Sequence, residues 1–386
     1  MDLAQRTLSL VAVSSLWIVT AAHAQPAAVW AGANDNPNTL ITGIFDGTSM
    51  SYLPEVLAGG SSGGPPNGFT ESQVRVFAGA PQGRCSLVAQ INTQSNTVAV
   101  YTIGASGTAT HAAGSPFPTG GLGAALAWAR DGQALYVARS YTGAASVETF
   151  RVACTPGGTA TVTDAGPTTF SLITGLRDTD VTPSGGHLCI TGNVSGNAGC
   201  YAIDPITRLP ATSPVNTVAA PDARGLRISG TTGCGVLGLE SSNQVRGFLV
   251  SGAGLITLTN TAAAPAPPFH GAVSPDGVFA AFGTSCCTRQ VALYNVAPGT
   301  CTIALAGSTA ASDPGGAPYV AFDRANRLYV ADVNLNRIRV FQATASGPGS
   351  AISTSTTNHA TTNPPIGIDA AMFADFPVTL QSLTVE

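Results

Sequence analysis

The chain has 386 residues and a net charge of −4; only 9% of its residues are charged and all 16 cationic side chains are arginine. This leaves no basic footprint for nucleic acid. The 45 glycines and 26 prolines punctuate regular apolar runs, which points to many strands and tight turns and not to disorder.

The first 24 residues read as a secretory signal. Arg6 supplies the positive start, Leu8 to Ala21 the apolar stretch, and Ala22-His23-Ala24 a small-x-small cleavage site. The mature chain is then residues 25–386, one domain, secreted to the periplasm or outside the cell. An uncleaved anchor is the alternative for that segment; no other stretch could span a bilayer. In an oxidising compartment the eight cysteines are expected to pair.

Short polar turns recur between apolar runs at Pro37-Asn38, Gln82-Gly83, Asp131-Gly132, Ser184-Gly185, Thr232-Gly233, Asp276-Gly277 and Ala325-Asn326. Their spacings of 45, 49, 53, 48, 44 and 49 residues match a four-stranded propeller blade. Each turn is taken to join the first strand of a unit to the second. Second strands follow at Leu40–Phe45, Leu87–Ile91, Leu135–Ala138, Leu188–Thr191, Val236–Leu239, Phe279–Gly283 and Leu328–Ala331. Third strands follow from Val98–Ile103 to Ile338–Phe341, with Met50–Leu53 in that role in the first unit. β-Branched and aromatic residues dominate these runs, as suits a pleated surface packed on both sides.

The fold class expected is therefore all-β, a seven-bladed β-propeller. Ala27–Asn36 reads as irregular, so the first unit lacks an inner strand, and Pro365–Ala370 is a spare one. Pairing of the C-terminal strand with the N-terminal blade would close the ring and remove exposed sheet edges. A pair of β-sandwiches is the rival, but it does not explain the even period. Phe376–Glu386 has no place in the scheme.

Ser274-Pro-Asp-Gly277 after His270-Gly-Ala-Val273, and Leu135-Tyr-Val-Ala138 after Arg130-Asp-Gly132, resemble the repeats of YVTN-type and lactonase-like seven-bladed propellers. Arg327-Leu-Tyr-Val-Ala-Asp332 followed by Asn336-Arg-Ile-Arg-Val-Phe341 resembles an NHL repeat. The likeness covers about 300 residues and is structural in character. It implies the fold and, as one function among those such propellers host, lactone hydrolysis.

In this scheme one channel mouth is built from the starts of the inner strands and the second-to-third-strand loops. Ionisable and polar residues expected there are Glu71, Arg177, Asp178, Asp180, Arg224, Arg227, His270, Tyr319, Asp323 and Asp369. His270, Arg227 and Asp180 are the candidates for catalysis: an arginine to polarise a carbonyl, a histidine or carboxylate to activate water. Arg177, Asp178, Arg224, Tyr319 and Asp323 are the ligand-binding candidates. The competing reading is that these groups satisfy one another around a wet channel. His111, His187 and His359 lie in weaker positions. No metal-binding spacing, nucleophile elbow, phosphate loop or dinucleotide fingerprint is present, so neither metal nor cofactor is expected.

Cys189 and Cys200 lie equally far from the hairpin centre near Val194-Ser195, which places them opposite each other within disulfide reach. Cys286-Cys287 either form a vicinal ring or pair elsewhere. If they form the ring, Cys85–Cys154 and Cys234–Cys301 would each link neighbouring blades. Two functions follow: a secreted monomeric propeller that binds a small ligand or a protein partner without chemistry, or a lactonase-like hydrolase acting on a sugar or acyl lactone.

Overall fold

The computed structural model describes residues 26–33, 38–60, 73–79, 83–139, 145–154, 158–284, 290–309, 319–332, 335–357 and 365–372. These form seven antiparallel sheets arranged as a propeller, with no α-helix among the described residues. The proposed signal segment, Glu71, Cys286, Cys287, His359 and Phe376–Glu386 lie outside the described residues. No helix among the described residues is long and apolar enough to cross a membrane.

Numbered from the N-terminus, the blades have inner strands Pro365–Met372, Val74–Phe77, Gly123–Trp128, Leu176–Val181, Ala223–Ile228, Pro268–Val273 and Tyr319–Phe322. Blade 1 joins the two ends of the chain, as expected. Its inner strand runs antiparallel to Ala27–Ala33, pairing Trp30 with Asp369 and Ala28 with Ala371.

The register of that closure differs from the sequence expectation by one strand. Ala27–Ala33 is a wholly buried strand, and Thr39–Phe45 is the third strand of blade 1, not the second. Met50–Tyr52 is accordingly the outermost strand instead of the third. The reason is compositional. Ala-Ala-Val-Trp-Ala-Gly-Ala has little intrinsic strand preference, but it sits between two flanking strands and two neighbouring blades. Small side chains fit that space, and Trp30 fills the one large volume.

Apolar side chains of each sheet pack against the next sheet, so the core is a series of inter-blade clusters. One such cluster joins Ala125, Tyr136 and Val147 of blade 3 to Leu188, Ile190 and Tyr201 of blade 4. Outermost strands such as Thr161–Thr169 are largely exposed, as an edge facing solvent should be.

Three disulfides are formed among the described residues. Cys189 and Cys200 pair directly across a hairpin. Cys85–Cys154 ties blade 2 to blade 3, and Cys234–Cys301 ties blade 5 to blade 6.

Inner strands of blades 5 and 6 approach closely at two glycines. A Cβ on Gly225, whose φ is +63°, would lie 2.6 Å from the Gly271 nitrogen and 3.0 Å from the Phe269 oxygen. Both the backbone conformation and the space therefore require glycine here. Gly225→Ala is expected to cost roughly 1–3 kcal/mol, read as a lower denaturant midpoint. An unchanged midpoint would show that the two strands can separate freely.

Candidate functional site at the channel mouth

The inner strand of every blade has one edge facing the central channel, with N–H and C=O groups that no further strand can pair. Buried groups of this kind need partners. Here side chains of the adjoining blade supply them. Asp369 Oδ2 accepts the Val76 N–H at 2.9 Å, from blade 1 to blade 2. Trp128 Nε1 donates to the Arg75 carbonyl at 2.9 Å, and Arg75 Nε to the Leu126 carbonyl at 3.3 Å, between blades 2 and 3. Arg130 of blade 3 donates to the carbonyls of Val181 and Thr182 in blade 4. Asp180 Oδ2 accepts the Ile228 N–H of blade 5 at 2.9 Å.

From there Arg227 Nη2 lies 3.0 Å from His270 Nε2 of blade 6, and the Val320 N–H of blade 7 lies 3.2 Å from His270 Nδ1; a neutral imidazole accepts from one of these two donors. The remaining junction, between blades 7 and 1, is apolar and includes Tyr319, Ala321 and Ile368. A chain of polar side chains thus runs around the channel from blade 1 to blade 7.

Within that chain lies an ionic cluster. Arg75 is 3.7 Å from Asp180 and 3.9 Å from Asp369, and Arg130 is 3.6 Å from Asp180. Arg227 is bonded to Asp178, and both are almost wholly buried. Burial acts against the charge on Arg75, but Asp180, Asp369 and Asp178 outweigh it and raise its pKa. Burial lowers the pKa of Arg130 and of Arg227. Burial also raises the pKa of Asp369, opposed by Arg75 and by the Val76 and Ala370 N–H groups. His270 is pushed well below the usual histidine range by burial, then by Arg227 and Arg75. It is therefore neutral near pH 7.

Arg75, Arg130, Asp180, Arg227 and Asp369 form the floor of an open cavity of about 630 Å³, within the usual size range for a small-molecule site. Arg75, Arg130, Asp180, Arg227, Arg324 and Asp369 line it, together with Phe77, Trp128 and Phe322. It opens where the inner strands end and where the first-to-second-strand turns gather. That is the mouth opposite the one expected from sequence. Near the starts of the inner strands, Phe269 and Tyr319 pack edge to face at 6.1 Å within an inter-blade core, and the Arg224 guanidinium lies 4.8 Å over Phe269. At the open mouth the corresponding positions are small, namely Ala78, Ala129, Ala272, Ala321 and Ala370.

Of the sequence candidates, Arg227, Asp180, Asp323 and Asp369 line the cavity. His270 is 2% exposed and lies behind Arg227, outside the lining. Asp178 and Tyr319 are fully buried. Arg177 is buried, and Arg224 pairs with Glu240; neither lines the cavity. Asp323 is largely committed to holding its own turn, through Arg327 and the Tyr329 hydroxyl.

Sequence reasoning missed Arg75, Arg130 and Trp128. The available signal was Arg130-Asp-Gly132, read only as a turn; once the turns are known to ring the open mouth, its arginine becomes a site residue. Among the described residues, no group of three or more His, Cys, Asp or Glu could hold a metal ion.

No known family profile matches this sequence, and no curated protein matches it. Solved structures do match. A Bacteroides fragilis protein provisionally named a 6-phosphogluconolactonase superposes with a TM-score of 0.69 at 16% identity, over 90% of this chain and 99% of that one. A Desulfotomaculum acetoxidans protein of unknown function gives 0.67 at 11% identity, over 90% and 99%. The Pseudomonas aeruginosa periplasmic gluconolactonase gives 0.63 at 18% identity, over 89% and 99%. At these identities the likeness is one of fold: this chain is a seven-bladed β-propeller of the architecture that the gluconolactonase also has.

Proposed function

We propose that this protein is an exported lactone hydrolase whose site is the cavity at the ends of the inner strands. The observation that carries the reading is the arrangement of Arg75 and Arg130 around Asp180, with Asp369 beside Arg75, on the floor of an open cavity. The arginine–carboxylate contacts of 3.6–3.9 Å are loose, while bonds to inner-strand carbonyls hold both guanidinium groups in place on the floor. A solvent-accessible, partly desolvated carboxylate with a raised pKa suits a general base.

In this mechanism the lactone carbonyl oxygen sits between Arg75 and Arg130. Asp369 takes a proton from water as that water attacks the carbonyl carbon. The guanidinium groups stabilise the oxyanion that forms. The ring C–O bond then breaks, its oxygen takes up a proton, and the product is a hydroxy acid. Asp180 holds the two arginines; Arg227 and His270 support them from behind. The names of the structural neighbours from Bacteroides fragilis and Pseudomonas aeruginosa agree with this reading, and the three disulfides agree with export.

Asp369→Asn keeps an acceptor for the Val76 N–H but removes the base. Turnover of a sugar or acyl lactone should fall by roughly a hundredfold or more with little change in melting temperature. In the unmodified protein, activity should be lost as pH falls through a pKa above the ordinary carboxylate range, because the base must be deprotonated. A second reading rests on the fact that Arg75, Arg130, Asp180 and Asp369 all also bond inner-strand backbone: they would serve a binding cavity without chemistry. Stabilisation by aldonates or lactones without turnover would establish that reading and remove the first.

A further inference from the structure

We infer that a second ligand site lies on the outer rim of blades 2 to 4, independent of the channel cavity, and that it binds an organic dianion with an apolar body. The groove there has a volume of about 490 Å³. Three arginines from three different blades line it: Arg84, Arg151 and Arg208. A guanidinium is the side chain best suited to a carboxylate or phosphate, since its donors form a fork matching two oxygens.

Two of these arginines are not ion-paired. Arg84 and Arg151 form no salt bridge among the described residues; Arg151 acts on Asp204 only through space. Arg151 uses Nε to bond the Thr207 carbonyl at 3.1 Å, which fixes the side chain without occupying its terminal nitrogens. The third arginine is held rigidly. Arg208 Nη2 bonds Asp131 at 2.8 Å and also Gln133, reaching from blade 4 to blade 3. Its backbone adopts φ +65°, a conformation that an arginine takes at a cost.

The groove is pre-organised by a covalent tie. Arg84 adjoins Cys85, which is bonded to Cys154, three residues beyond Arg151. The disulfide therefore fixes the blade 2 arginine beside the blade 3 arginine. Beside them Ile206 is 85% exposed, more than any other large apolar side chain in the described residues. With Val152 it gives the groove an apolar flank. Charge on one side and an uncovered isoleucine on the other define a ligand with two negative charges and a carbon skeleton. Phosphate monoesters and aromatic or aliphatic dicarboxylates share that chemistry.

Isothermal titration of the full chain with phenyl phosphate, phthalate and inorganic phosphate tests this. Phenyl phosphate or phthalate should bind more tightly than inorganic phosphate, and the better of the two names the oxyanion. The double variant Arg84→Ala/Arg151→Ala should weaken that binding by roughly tenfold or more while lactone turnover stays unchanged. Ile206→Ser should bring the organic dianions down to the affinity of inorganic phosphate. Binding that survives the double variant would arise elsewhere and overturn the assignment, as would equal affinity for all three probes or no binding at all. Because turnover is read separately, failure here leaves the channel reading standing, and the reverse also holds.

Discussion

Arg227→Met is expected to lower the stability of the propeller by roughly 3–5 kcal/mol, because it strands a buried carboxylate. Asp178 is 0% exposed and Arg227 is 3% exposed. Methionine approximates the volume of the arginine stem but offers no donor. It would also remove the guanidinium that lies beside His270 of blade 6. The loss should be seen as a lower urea midpoint with an unchanged slope. Removing both charges, as Arg227→Met with Asp178→Asn, should recover a large part of it. If the single variant were as stable as the parent, the pair would not be desolvated as described. If the double variant were no better than the single, the arginine would be acting through packing alone.

Removing the Cys234–Cys301 disulfide, by Cys234→Ser with Cys301→Ser, is expected to cost about 4 kcal/mol in the chain-entropy account of cross-links. The sequence separation is 67 residues, so the bond excludes many open conformations of the unfolded chain. Both positions are buried at the junction of blades 5 and 6. A hydroxyl placed there adds a smaller penalty of its own, which Cys→Ala controls would separate. The Cys189–Cys200 bond closes a far shorter loop, 11 residues apart, and its removal should cost visibly less. Equal effects from the two bonds would show that loop length does not govern their contribution.

Much of the architecture was legible from the chain because turn chemistry and strand chemistry repeat together. Asp131-Gly132 and Asp276-Gly277 mark hairpins with positive-φ glycines, and Leu135–Ala138 and Leu328–Ala331 have the pattern of buried strands. Ala27–Ala33 was not legible, because its burial comes from tertiary neighbours and not from local preference. Pairing of Cys189 with Cys200 followed from counting residues about a turn. The open mouth could not be found that way. Period tells where each inner strand begins and ends, but not at which end a cavity forms or which side chains line it. Arg75 and Arg130 were passed over for that reason, and His270 drew attention as an isolated histidine although it lies behind the cavity wall.

Blade 1 has a consequence for how the protein is made. Its inner strand and the strand beside it are more than three hundred residues apart along the chain, a contact that local folding cannot anticipate. During synthesis Ala27–Ala33 emerges early yet has no inner neighbour until the other blades have been built. Six sheets can assemble progressively, but the last wedge is set only when the whole polypeptide is available. Premature release, or a nick in the final strand, would therefore leave a gapped ring with Trp30 uncovered, a species suited to capture by chaperones or by another chain's matching strand.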